Sequence, residues 1–223
     1  MPADSREKIL RRIREALQTP APARHLHGAA ASASESHPPQ DWLPPVPADL
    51  AGRIAIFEKN SADLKTVVHR CADPAPVLAE IAAAEGWKSV ATHDFAAGRS
   101  AVAALGLPTL RTDQPYDKLD LEKCDAGISG CECLVAQTGG ILVTSPTAGG
   151  RALSVLPPHH IVIASESQIV ADLAEAFAHV RQSHGTIPAF LSFITGPSRT
   201  GDIERILVLG AHGPKKLTVI LTP

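Results

Sequence analysis

The chain has 223 residues, a formal charge of −2 and 44% hydrophobic residues, which suits one ordinary domain with something appended and gives no general electrostatic drive towards nucleic acid or an anionic membrane. Its apolar runs, such as Ile161 to Ala164, fall far short of the ~20 residues that cross a bilayer, and Met1 to Lys8 lacks the apolar stretch of an export signal, so no membrane span is expected and the expected compartment is the cytoplasm. Aromatic residues make up only 4%, which suits helices packed on aliphatic strands and excludes a base-stacking RNA platform.

Asp4 and Glu7 stand at capping-box spacing, and Ile9, Leu10, Ile13 and Leu17 recur at helical intervals, predicting an amphipathic helix over residues 5 to 18 within an N-terminal segment 1–18. Its polar face carries Arg6, Lys8, Arg11, Arg12 and Arg14, a surface that either docks on a partner or stays solvated. Residues 19–48 form a Pro/Ala-rich linker or arm, in which His25, His27 and His37 lack the acidic or cysteine company of a metal site. From residue 49 to 223 helical and extended patterns alternate, as strands joined by crossover helices do. Helices are expected at 49–59, 74–85, 96–105 and 168–182, and strands at 66–69, 89–92, 107–110, 161–164, 206–209 and 217–221. Strands at 126–129, 132–136 and 140–144 follow one another too closely for crossovers, so this portion reads as antiparallel or mixed.

Thr195 to Glu204 is the densest chemical signal. Gly196 and Gly201 free the backbone while Ser198, Arg199 and Thr200 gather donors. A guanidinium binds a carboxylate or phosphate through two parallel hydrogen bonds, so Arg199 is the leading candidate for an anionic ligand; the structural alternative is that Asp202 caps the next segment and Arg199 pairs with Asp202. The turn Gln137-Thr138-Gly139-Gly140 offers backbone amides and two neutral side chains, or merely closes a hairpin. Arg151, after Gly149 and Gly150, is a second candidate anion contact, with a surface salt bridge as its alternative, and His212, His159 and His160 are candidate acids, bases or donors or simply turn residues. Cys124, Cys131 and Cys133 are spaced as in no common iron-sulfur or zinc site, and Cys71 lies far off; buried reduced thiols are expected, and no metal ligand is assigned.

Taken in order, Gly127-Ile128-Ser129-Gly130, the Gln137-Thr138-Gly139 turn, Leu156 to Ile161, Gly196 to Glu204, Val208 to Pro214 and Leu217 to Leu221 are similar to the LUD domain family, in its lactate utilization protein C group, over roughly residues 50 to 223. The resemblance implies an α/β fold with an open mixed sheet and helices on both faces, of the NagB/RpiA/CoA-transferase type. It also implies a part in oxidising L-lactate to pyruvate alongside partner subunits that hold iron-sulfur clusters, with no cofactor in this chain itself. One departure stands out: the family often has Glu in the position of Gln137, and Thr or Ser in that of Gly140, so a carboxylate that would serve as base or metal ligand is missing. Three functional readings follow: an accessory subunit that binds a small anionic ligand, a stand-alone enzyme acting on a sugar phosphate or acyl-CoA, and an assembly platform that docks through the N-terminal helix.

Overall fold

The computed structural model describes residues 3–18, 44–200, 208–210 and 212–223, and the chain divides into two units, Met1–Leu43 and Pro44–Pro223. The first contains helix α1 (Ala3–Gln18), on which Ile9 and Ile13 are exposed. Most of the expected Pro-rich arm, with its three histidines and Trp42, lies outside the described residues.

The second unit runs α2 (Leu50–Asp63), β1 (Val67–Arg70), α3 (Pro74–Glu85), β2 (Val90–Thr92), α4 (Ala96–Ala104), β3 (Thr109–Arg111), α5 (Lys118–Glu122), β4 (Ala126–Ser129), β5 (Cys133–Val135), β6 (Gly140–Thr144), β7 (His159–Ser165), β8 (Ile169–Val170), α6 (Leu173–His184), β9 (Leu191–Ile194), β10 (Arg199–Thr200), β11 (Val208–Leu209) and β12 (Lys216–Thr222). Aspartates start most of these helices: Asp49, Asp73, Asp117 and Asp172 each accept a backbone N–H of the first turn, satisfying donors that the helix itself leaves orphaned. Helix α3 adds Pro74 at its first turn and ends at Gly86 in the left-handed conformation, φ 67°. Helix α4 differs, since Phe95 stands at its N-cap and has no oxygen to offer.

Six strands form one sheet in the order β1-β12-β7-β4-β2-β3, and every neighbouring pair is parallel. All six carboxyl ends therefore share one edge. Helices α3 and α4 cover one face, where Leu78, Ala101 and Val102 meet Ile128, Ile161, Ile163 and Ile220. The opposite face packs Val162, Ala164, Val219 and Leu221 against Ile54 and Phe57 of α2 and against Leu134 and Ile141 of a second sheet. Covered on both sides, β7 and β12 read as unbroken apolar runs, as buried parallel strands do. The second sheet has the order β8-β5-β6-β9, with β8 parallel to β5 and the other pairs antiparallel. Its far side is closed by Ala176 and Val180 of α6.

The α/β class and the helices on both faces agree with expectation, and the antiparallel portion proves to be this separate second sheet, with Ala126–Ser129 instead in the parallel one. The helix expected from Gln168 begins at Leu173. Ser165 and Gln168 form a capping box around a short 3-10 turn, Ile169–Val170 pairs with β5, and Asp172 then caps α6. Of the strand expected at 206–209, Val208–Leu209 is described; residues 206 and 207 lie outside the described residues.

Candidate functional site

The segment carrying Arg199 lies at the amino-end edge of the parallel sheet. Hydrogen bonds hold it to the chain before β12: the Ser198 amide donates to the Pro214 carbonyl at 2.9 Å, Gly210 donates to the Ser198 carbonyl at 3.0 Å, and the His212 amide donates to Ser198 Oγ at 3.3 Å. Arg199 and Thr200 pair with Leu209 and Val208 in a two-stranded ribbon. Exposed Arg199 borders a cleft of about 540 Å³ whose wall also includes Lys65, Val67, Glu85, Lys215 and Lys216. A second cleft of about 460 Å³ runs past Ser198, Arg199, His212 and Ser154. Four cations thus face one carboxylate in the larger cleft, and that carboxylate, Glu85, is held by Lys216 at 2.6 Å and lowered in pKa by that hydrogen bond.

The Gln137 turn is at the same end of the molecule, where a Cβ on Gly140 would stand 3.4 Å from the methyl group of Thr195. Its amides, however, turn inward: Gln137 N–H donates to Ala171 O at 2.9 Å, Gly139 N–H to Ala136 O at 3.4 Å and Gly140 N–H to Thr138 Oγ1 at 3.2 Å. Asn60 of α2 donates to the carbonyls of Ala136 and Gln137 at 2.9 Å, and the Gln137 side chain donates to Pro44 O at 3.2 Å. Gly139, at φ 63°, is boxed in, since a Cβ there would stand 2.7 Å from the Ser61 nitrogen. The turn therefore docks α2 onto the second sheet. Arg151 is separated from this group: it donates to Ala189 O at 3.2 Å and lies over the Phe190 ring at 5.5 Å, beside the end of β6 opposite Gly140.

His159 and His160 begin β7 and are buried. His159 Nε2 is 2.9 Å from Thr218 Oγ1 and its ring meets Trp87 edge-on, while His160 Nε2 is 2.9 Å from Ser129 Oγ. Burial lowers their pKa values to about 4 and about 3, so both are neutral struts of the sheet at neutral pH. Cys133 is buried and its thiol is pushed up to about 12, and burial raises Cys131 as well, which leaves both protonated and unreactive. Among the described residues, no three His, Cys, Asp or Glu side chains are grouped to hold a metal ion. Glu132, a lone carboxylate in the sequence, is in fact buried beside two imidazoles, with His184 at 3.0 Å, His179 at 3.3 Å and the Thr144 hydroxyl donating at 3.2 Å.

The carboxyl-end edge brings Gly130 of the Gly-Ile-Ser-Gly motif beside residues that the sequence did not single out, His93 among them. The chain leaves β2 outward to β3, yet leaves β4 in the other direction towards β7 and β12. Open α/β sheets place ligands in the crevice at such a reversal. Here it is a cavity of about 260 Å³ bordered by His93, Ala96, Ala97, Gly130, Thr147 and Gln168. His93 also borders a neighbouring cavity of about 280 Å³ reaching Arg111 on β3. Its ring stacks on Phe95 at 4.9 Å, and its Nε2 is buried without a hydrogen-bond partner among the described residues. The loop after β6 closes over this edge, for Gly149, at φ 60°, presses on His93 and Thr112.

Fold and clefts together define an open parallel α/β protein with ligand-sized spaces at both ends of its sheet. Within that class the chain belongs to the LUD domain family, whose model it matches over residues 54–222. It is 33% identical to lactate utilization protein C of Shouchella clausii over 141 residues, covering 60% of each chain. It is 35% identical to that of Deinococcus radiodurans over 122 residues, 52% of this chain and 55% of the relative, and 33% identical to that of Bacillus subtilis over 142 residues, 61% and 56%. The matched region thus spans little more than half of these relatives. A crystal structure of a DUF162 family protein from Deinococcus radiodurans superposes with a TM-score of 0.60 at 26% identity, covering 79% of this chain and all of that one.

Proposed function

We propose that the chain serves lactate utilization as a non-haem subunit that binds an anionic ligand through Arg199 and works beside partner subunits holding iron-sulfur clusters. The relatives named lactate utilization protein C supply the process. The observation that carries the ligand is the charge of the amino-end cleft, where Lys65, Arg199, Lys215 and Lys216 outnumber the single carboxylate of Glu85; a mostly cationic wall with apolar Val67 and Leu217 between its charges suits a carboxylate- or phosphate-bearing ligand. Electron-transfer clusters fall to partners because the cysteines of this chain are scattered over separate elements, with Cys131 and Cys133 held as buried thiols.

Affinity purification of the chain from its native host is expected to bring down polypeptides containing iron and acid-labile sulfide. Recovery of the chain alone under conditions that preserve such clusters would count against the reading. In the same host, Arg199→Ala is expected to slow growth on L-lactate as sole carbon source while leaving the protein level unchanged; growth at the unsubstituted rate would remove Arg199 from the function.

A further inference from the structure

We infer that the amino-end cleft takes an aliphatic phosphate, with its head group among Lys65, Arg199 and Lys215 and its chain along Val67, Ile81 and Leu217. This rests on the anionic ligand proposed above and names its class. At about 540 Å³ the cleft has the volume of pockets that hold drug-sized molecules, and a three-carbon acid such as L-lactate would fill little of it. Between its cations the wall is aliphatic: Val67 at the start of β1, Ile81 and Ala84 of α3, Pro197, and Leu217 of β12. Among the described residues no Phe, Tyr or Trp lines it, which favours a saturated chain over a stacked nucleobase. Val67 is 52% exposed, and among the described residues it is the only large apolar residue of a strand that is exposed; a chain laid along the cleft would cover it.

The head group is fixed by three cations on chain segments held to one another. Ser198 N–H donates to Pro214 O at 2.9 Å, which ties Arg199 to Lys215, and Gly196, at φ 94°, lies against the residue before Lys65, where a Cβ would stand 2.5 Å from the Leu64 carbonyl oxygen. The one carboxylate among the described lining residues, Glu85, is engaged through both oxygens by Lys216 at 2.6 Å. A guanidinium and two ammonium groups suit the near-double charge of a phosphate better than a single carboxylate. Lys65 carries a further mark. Helix α2 ends with Lys65 N–H donating to Ala62 O at 3.0 Å and Thr66 N–H to Ser61 O at 2.9 Å, a motif whose left-handed residue is usually glycine. Lys65 fills that place at φ 67°, the only non-glycine residue with a positive φ among the described residues. A side chain kept where the backbone favours none is accounted for by what it does, and this one borders the cleft. A cation at a helix carboxyl end is also favourable in itself, but that role makes no demand on ligand affinity.

The test is calorimetric titration of the purified full-length chain with octyl phosphate, octanoate, inorganic phosphate and L-lactate. Octyl phosphate is expected to bind saturably and more than about tenfold tighter than inorganic phosphate, since each buried methylene is worth about fourfold in affinity. Octanoate, with the chain but less charge, should bind about fivefold more weakly than octyl phosphate. Lys65→Gly is expected to weaken octyl phosphate about tenfold while Tm holds or rises by about 2 °C, because glycine suits the left-handed backbone. Val67→Ser, at an exposed position, should weaken octyl phosphate about fivefold and leave the inorganic phosphate titration unchanged. Absence of octyl phosphate binding, equal affinity for octanoate, inorganic phosphate or L-lactate, or full affinity in either Lys65→Gly or Val67→Ser would overturn the assignment. Octanoate or inorganic phosphate bound as tightly as octyl phosphate, and lost in Arg199→Ala, would sink the aliphatic phosphate while leaving the anionic ligand of the proposed function standing. Failure to recover iron-sulfur partners would do the reverse.

Discussion

The two ends of the parallel sheet differ in what lines their clefts. At the amino end the attraction comes from side chains: Arg199, Lys65 and Lys215 ring a cleft of about 540 Å³, and long cationic side chains adapt to many ligands while remaining screened by salt. At the carboxyl end the space is smaller, about 260 Å³, and its wall is made by the start of α4, Asp94 and the mostly buried His93, fixed by the fold and covered by the loop through Gly149. Such groups are already oriented when a ligand arrives, which favours selectivity over reach. The amino-end cleft is wide and cationic, whereas the carboxyl-end space is small and walled by fixed groups.

The largest expected effect separates the exposed cations from the buried imidazoles through pH. The lysines and Arg199 of the amino-end cleft are exposed, whereas His159 on its wall, His160 beside it and His93 at the other end are buried and their pKa values lowered from 6.5 chiefly by desolvation. The unfolded chain takes up protons below about pH 6.5 that the folded chain refuses until about pH 4 at His159 and about pH 3 at His160. The unfolded state therefore binds more protons within that window, and stability falls as pH falls through it. At pH 5 this amounts to ~2 kcal/mol for each of the two rings relative to pH 8. Urea denaturation at pH 8, 6 and 5 measures it, and a flat stability profile would mean that the imidazoles are not desolvated as the fold places them.

Next in size is the loop that closes the carboxyl end. Gly149 has φ 60°, and a Cβ there would stand 2.6 Å from His93 Cβ and from Thr112 Oγ1. Gly150 has φ 98° with nothing within 4 Å of its Cβ position. Gly149→Ala combines backbone strain with a clash and is expected to cost about 2–4 kcal/mol, against ~1 kcal/mol for strain alone in Gly150→Ala. Equal losses in chemical denaturation would show that the loop is not pressed against His93. Smaller again, Asp172→Ala removes the acceptor that holds Glu175 N–H at 2.9 Å and should cost ~1 kcal/mol.

How far each end was legible follows from the range of the interactions that make it. Helix α3 was readable to the residue, because Pro74 and the Gly86 stop are local signals, and β7 and β12 announced themselves as apolar runs. The five-residue α5, the two-residue β8 and the half-buried β9 were not, since each is sustained by tertiary partners rather than by its own periodicity. Arg199 could be picked out because a Gly-rich segment with an arginine is a local pattern. His93 could not: its position depends on the crossover from β1 to β2, which passes three strands of the sheet, and no short pattern encodes that. Gln137 and Gly139 drew attention as a ligand turn, whereas their partner is Asn60, more than seventy residues away.

The smallest expected effect on stability is also the sharpest division between the ends. Arg199 is exposed, and surface substitutions away from packed or capped positions usually stay within about 0.5 kcal/mol, so Arg199→Ala should leave the denaturation midpoint almost unmoved. Its effect should appear in binding: an anion held by this guanidinium among Lys65, Lys215 and Lys216 is expected to lose about tenfold in affinity, and the remaining affinity should fall further as salt rises from 50 to 500 mM. Binding that is insensitive to both salt and Arg199→Ala would leave the basic cleft a solvated surface.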